Sequence, residues 1–201
     1  LDAALAAAAE QRLAEHRSQS AKVRQMLEES FPEAPSVALP FVHQLHGANR
    51  VRAVYDALLS GAETELLMFT RPPFAYRSGV DNINQAVLDM AARGVPARVL
   101  YQQEQIDDPD ASGFRAEMEA YHQAGVKARV VEELPVKLVV VDRRALLVGM
   151  HDPSNSEGGY PTTLLIEHPG YASVQALAFE QLWATGVDYE EAVGRRQASS
   201  S

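Results

Sequence analysis

Two stretches of the chain repeat one short pattern, and it sets the architecture: Ala92-Arg93-Gly94-Val95-Pro96-Ala97-Arg98-Val99 and Gln123-Ala124-Gly125-Val126-Lys127-Ala128-Arg129-Val130. Each reads as the last turn of a helix, then Gly in the left-handed position that ends it, then a strand opening on Val. Apolar residues at helical spacing precede both junctions: Ile83, Ala86, Val87 and Met90 before the first, and Phe114, Met118 and Tyr121, with Ser112 as a cap, before the second. Upstream, Asn49 is expected to cap a helix carrying Val51, Val54, Tyr55, Leu58 and Leu59 and ended by Gly61. A short apolar strand, Glu65-Leu-Leu-Met-Phe-Thr70, follows and is halted by Arg71-Pro72-Pro73. Downstream, the apolar runs 136–141 and 144–149 are separated by Asp142-Arg143, a tight-turn signal, so they pair as a hairpin. A loop rich in Gly, Ser, Asn and Pro spans 151–161, a strand covers 162–167, and a final helix carries Val174, Leu177, Ala178, Leu182 and Trp183 on one face. Helices between the early strands and a hairpin late in the chain imply an α/β fold with a mixed β-sheet flanked by helices.

The ends read differently. Residues 1–31 contain no Gly or Pro, are rich in Ala, Glu, Gln, Leu and Arg, and stop at Pro32, which predicts one long N-terminal helix of about 45 Å. Leu1, Leu5, Ala8 and Ala9 begin an apolar stripe that Val23, Met26, Leu27 and Phe31 resume, but His16 to Ser20 is polar all round. Such a helix is either a coiled-coil arm pairing with another copy, the reading the pattern favours, or a solvated spacer. The three prolines of 32–40 mark a linker. The division expected is therefore a linker or dimerisation helix over 1–31, a main domain over 41–187 and a C-terminal linker or tail over 188–201.

Composition removes several classes of function. No run of apolar residues is long enough to span a bilayer and no signal peptide is recognisable, so the expectation is a cytoplasmic protein without a membrane partner. The absence of cysteine excludes disulfides, thiolate metal sites and a Cys nucleophile. A net charge of −9 argues against this chain itself gripping a phosphate backbone. Arginine outnumbers lysine 15 to 3 and alanine is abundant, the bias of a GC-rich bacterial genome.

The two Gly-Val junctions, followed by a strand and hairpin, resemble the phospholipase D superfamily, where such junctions precede the signature His-x-Lys-x4-Asp-x6-Gly-Ser-x-Asn. In register, Lys137, Asp142 and Gly149 match it, while Pro135 stands for the histidine, Met150 for the serine and Asp152 for the asparagine. The resemblance implies the fold and argues against the activity, because the family's histidine attacks phosphorus and proline has no lone pair to do so. Together with the 1–31 helix, Met68-Phe-Thr-Arg-Pro-Pro-Phe74, Arg93-Gly-Val95 and Glu133-Leu-Pro-Val-Lys-Leu-Val-Val-Val-Asp-Arg143, the pattern looks like one branch: TrmB and LuxR-hybrid bacterial transcription regulators. That likeness implies a pseudoenzyme that senses an effector as a homodimer and reaches DNA only through helix-turn-helix domains absent from this chain. The sequence thus reads as a fragment that keeps the sensor.

The expected ligand-binding residues are Lys137, Asp142, Arg71, Tyr101, His151, Phe74 and Tyr76, with no catalytic residue, no metal and no cofactor. Lys137 interrupts a strand of Val and Leu, and a cation there needs a polar cavity or a partner; a buried ion pair with Asp142 or Asp152 is the plain alternative. Arg71 stands just past a strand end, where α/β proteins collect ligands, although an exposed loop arginine is the commoner outcome. Phe69, Phe74, Tyr76 and Tyr101 lie near strand ends and line either a pocket or simply the core. His43-x-x-His46 has metal spacing only if helical, and ordinary histidines are the favoured reading. Two rivals to the sensor stay open: a residual phosphodiesterase or nuclease using His151, and a structural dimerisation module with a filled pocket.

Overall fold

The computed structural model describes residues 11, 22, 39–71, 84–108, 112–150 and 162–199. The expected 1–31 helix lies outside this set apart from Gln11 and Lys22. The chain divides into two compact units, Leu1–Ala38 and Leu39–Ser201, and the second holds the sheet. Its elements are β1 (Val42–Leu45), α1 (Ala48–Ser60), β2 (Leu66–Thr70), α2 (Gln85–Ala92), β3 (Ala97–Gln102), α3 (Gln103–Asp107), α4 (Ser112–Gln123), β4 (Lys127–Val131), β5 (Lys137–Val141), β6 (Ala145–Met150), β7 (Thr162–Ile166), α5 (Pro169–Thr185), β8 (Val187–Asp188) and α6 (Tyr189–Ser199).

The eight strands form one sheet in the order β1-β7-β6-β5-β2-β3-β4-β8. Pairs β2-β3 and β3-β4 are parallel, and every other pair is antiparallel. The repeated junction explains the parallel block. Gly94 and Gly125 sit at φ 82 and 84, a conformation that costs glycine little and other residues more, and each turns its helix into the next strand. Both crossovers step in the same direction along the sheet, so one hand of connection puts both helices on one face.

That face is the larger core. Leu66, Met68, Val99, Tyr101, Val130, Val139, Val141 and Leu147 meet Val51 and Leu59 of α1, Val87 and Met90 of α2, Phe114, Met118 and Tyr121 of α4, and Ala192 of α6. On the other face Leu67, Phe69, Leu100, Leu138, Val140 and Leu146 pack against Ala172, Ala176 and Phe179 of α5. The second residue of each Ala-Arg-Val repeat points to α5. Arg98 makes two bonds to the Glu180 carboxylate, 2.8 and 2.6 Å, and lies 5.3 and 5.5 Å from the Phe179 and Trp183 ring centres. Arg129 donates to the Trp183 carbonyl at 2.7 Å and stacks over its ring.

The β5-β6 hairpin turns at Asp142 and Arg143, both at positive φ, 54 and 50. This is the backbone of a primed turn, whose twist matches that of the strands. The Asp142 carboxylate accepts the N–H groups of Glu63, Thr64 and Glu65 at 3.0, 2.7 and 3.1 Å and the Thr64 hydroxyl at 2.9 Å. The hairpin is thereby fastened to the loop before β2.

Three expectations are corrected, and the helical condition set for His43 and His46 is not met. The first helix begins at Ala48 with Gly47 as its N-cap, so Asn49 lies inside it and caps nothing. His43 belongs to strand β1, which pairs with β7, so His43 and His46 do not share a helical face; His43 pairs with Glu167 at 3.4 Å. Val174 and Leu177 do not form the packed face of α5, being 57% and 61% exposed. Residues 188–199, expected as the start of a tail, complete β8 and form α6, which buries Ala192.

Removing the acceptor at the hairpin turn tests this fastening. Asp142→Ala is expected to cost about 2 kcal/mol, from lost hydrogen bonds and a strained left-handed residue. Asp142→Gly, which keeps the backbone freedom, should lose less, both read as shifts in urea midpoint. Burial raises the Asp142 carboxyl, but the N–H groups of Thr64, Glu65 and Glu63 outweigh it and hold the group below its ordinary value. Its contribution is therefore present above the ordinary aspartate range and fades only as pH falls through the depressed native value.

Candidate functional site

Cross-strand register assembles one row of residues near the C-terminal ends of the parallel strands, on the face of the larger core. Gly149 of β6 pairs with Lys137 at the start of β5 on one side and with Thr163 of β7 on the other. Phe69 pairs with Leu138, which puts Thr70 beside Lys137, and Thr70 pairs with Tyr101. Lys137 and Tyr101 are two strands apart, about 10 Å between backbones. With no side chain of its own, Gly149 leaves the Lys137 stem lying over it: a Cβ there would stand 3.5 Å from the Lys137 Cβ.

Helix α4 covers this row and contributes the group that sequence reasoning missed. Glu117 is three residues after Phe114 and four before Tyr121, so it shares their inward face. Its carboxylate accepts the Tyr121 hydroxyl at 2.7 Å. Burial pushes the Glu117 carboxyl above its ordinary value, opposed by the Tyr121 hydroxyl, the Asn84 backbone N–H and the charge of Lys137. Asn84, itself buried, caps α2 by accepting the Ala86 N–H at 3.1 Å. Tyr55 reaches from α1 to the Met68 sulfur at 3.3 Å. The helical spacing of Phe114, Glu117 and Tyr121 was the available signal, obscured because charged residues on helices usually face solvent.

Desolvation pulls the Lys137 ammonium down to about 8, and the Glu117 carboxylate acts in the opposite direction. Tyr101 is wholly buried, with its ring edge-on to Phe114 at 5.1 Å, and burial raises its hydroxyl well above the ordinary range. The cluster is thus one cation, one carboxylate and two tyrosines between sheet and α4.

The other expected residues distribute unevenly. Asp142 stands at the far end of β5 from Lys137, about 16 Å along the strand. Its carboxylate is occupied by the loop before β2, so it belongs to the turn and not to this cluster. Arg71 follows β2 at the same end of the sheet, and its guanidinium donates to the Leu134 carbonyl at 2.6 Å, holding the segment that leads into Pro135 and Lys137. The Leu134 N–H in turn donates to the Gln102 side chain at 3.4 Å. Phe74, Tyr76 and His151 lie outside the described residues. No group of three or more His, Asp or Glu side chains among the described residues is placed to hold a metal ion.

A lysine depressed by burial makes stability depend on pH. Between about 8 and the ordinary lysine value the unfolded chain binds more protons than the native one, so stability rises with pH. From pH 8 to 9.5 the gain is expected to be about 1.5 kcal/mol, from which tyrosines beginning to ionise in the unfolded chain take back roughly a few tenths. Urea titrations at pH 7, 8, 9 and 9.5 should show this rise and its loss in Lys137→Met; a flat profile for the parent chain means an ordinary solvated lysine.

No family model matches the chain, and no curated protein matches it significantly. Solved structures do. TrmBL2, an archaeal chromatin protein that binds DNA, is similar over 89% of this chain and 66% of its own, with 15% identity and a TM-score of 0.59. The chain thus spans a little under two thirds of that protein. Nuc, a phospholipase D family member from Salmonella typhimurium, is similar over 74% of this chain and 98% of its own, at 17% identity and a TM-score of 0.52. NucT from Helicobacter pylori is similar over the same shares, at 15% identity and a TM-score of 0.56. At these identities the likeness is one of architecture. The mixed sheet, its flanking helices and the β5-β6 hairpin that begins at Lys137 are a phospholipase D-like fold.

Proposed function

We propose that this chain is the non-catalytic, effector-binding and dimerising part of a bacterial helix-turn-helix transcription regulator, taking a small molecule at its degenerate phospholipase D-like site. The observation that carries the reading is Lys137: a largely buried cation kept in register with Gly149, two residues after a proline that cannot act as a nucleophile. A lysine held without a nucleophile retains the means to bind and lacks the means to cleave. Glu117, oriented by the Tyr121 hydroxyl, adds a carboxylate suited to orienting a polar ligand. The architectural likeness to TrmBL2, which binds DNA, agrees with a place in a DNA-associated protein.

Regulation on this reading works by unequal affinity. An effector bound beside Lys137 favours one of two arrangements of the homodimer, and DNA-reading domains outside this chain respond to the difference. An effector that binds both arrangements equally shifts nothing, however tightly it is held.

Two measurements test it together. A native mass spectrum of freshly purified protein should show a dimer with a discrete small-molecule adduct that Lys137→Met loses. A chromogenic phosphodiester such as bis(4-nitrophenyl) phosphate should not turn over. Hydrolysis that disappears in Lys137→Ala would establish a residual phosphodiesterase instead.

A further inference from the structure

Lys137 opens β5 and is partly open to solvent, while the four residues that follow it in the strand are buried. Its stem lies over Gly149, so the amine rides on a side chain that the sheet supports rather than on a loose surface arm. Thr70 on one side and Thr163 beyond Gly149 on the other belong to the same row and do not titrate near neutral pH. The acid that α4 brings to the row is Glu117, oriented by the Tyr121 hydroxyl at 2.7 Å.

A strong salt bridge would push the amine up and the acid down, and here each group moves the other way. Burial brings Lys137 down to about 8 and raises Glu117. At pH 7 about a tenth of an amine at about 8 is uncharged, against roughly a few in ten thousand for an ordinary lysine. An uncharged amine holds no anion by charge, but it adds to a carbonyl carbon. That addition needs a proton delivered to the carbonyl oxygen, and a carboxyl raised above its ordinary value is a better proton donor near neutral pH than an ordinary one.

We propose that Lys137 captures a small aldehyde as a reversible imine, with Glu117 passing the protons. The capture rests on the effector site proposed above and gives that effector a chemical class, a compound with an accessible aldehyde. The amine lone pair forms a bond to the carbonyl carbon, and the π electrons move to the oxygen, which takes the Glu117 proton. The carbinolamine nitrogen then returns its extra proton to the Glu117 carboxylate. That proton goes to the hydroxyl, which leaves as water while the nitrogen lone pair closes the C=N bond, and a protonated imine is left beside the Glu117 carboxylate. Nothing is oxidised or reduced, and water reverses the sequence and returns the aldehyde unchanged, as a sensor requires.

The chain has only three lysines, and Lys127, exposed at the start of β4, is an internal comparison that needs no substitution. Propanal at pH 7, trapped with sodium cyanoborohydride and located by peptide mass mapping, should label Lys137 at least tenfold faster than Lys127. Glu117→Gln, which keeps an acceptor for the Tyr121 hydroxyl, should slow labelling of Lys137 at least fivefold and leave Lys127 unchanged. Labelling of Lys127 as fast as Lys137 overturns the proposal, and so does a Lys137 rate that Glu117→Gln leaves as it was. Borohydride treatment of freshly purified protein separates the two ideas. A Lys137-dependent adduct in the native mass spectrum that borohydride does not fix keeps the effector site and removes the imine; no adduct and no preferential labelling removes both.

Discussion

The handedness of parallel connections governs this molecule. Strands β2, β3 and β4 run parallel and step in one direction, so the helices that join them are obliged to share a face. The crowded face acquires α1, α2, α4 and α6, a deep core, and enough cover to desolvate Lys137 and Glu117. The opposite face is left to α5, which enters from antiparallel β7 and must shield five strands almost alone. Arg98 and Arg129 complete that shield by spreading guanidinium planes under Phe179 and Trp183, where arginine supplies flat surface as well as charge.

The scaffold was legible in the sequence wherever a backbone rule acts locally. Gly94, Gly125 and the Asp142-Arg143 turn each impose a conformation that few residues tolerate, and the strands and helices between them follow. Strand β1 and helix α6 were hidden because nothing local marks them. Val42–Leu45 is half exposed at the sheet margin and is held by β7, more than a hundred residues later. Helix α6 is charged along most of its length and is secured by Ala192 and its contacts with β4, and periodicity alone does not reveal such docking. The inner face of α5 was misjudged for a related reason. A helix with apolar residues all round has no contrast by which to choose, and Ala172, Ala176 and Phe179 take the inside because small residues let the helix approach the sheet.

The candidate site was half legible. The signature spacing located Lys137 and Gly149, and the structure sets them side by side. The same spacing named Asp142, yet a linear motif does not say which members face the same way, and five residues of extended chain carry Asp142 to the other end of the hairpin. Glu117 belongs to no motif. It acts on Lys137 through α4, some twenty residues earlier in the chain, and only the closing of the sheet brings the two together. A part-buried cation with a part-buried acid nearby is also a local compromise: each softens the desolvation of the other, and neither recovers what water would have given.

The strand order carries a consequence for synthesis. As the chain leaves the ribosome, β2, β3 and β4 are complete before any residue of β5 has appeared, although β5 must lie against the far side of β2. Until the hairpin emerges, Leu66 to Phe69 present an unpaired edge of wholly apolar character, the kind of edge on which nascent chains join to one another. The contact of Asp142 with residues 63–65, across nearly eighty positions, is the latch that closes this edge once the hairpin arrives. A pause in translation between β4 and β5 is therefore the moment of greatest exposure, and the speed of hairpin closure sets how long it lasts.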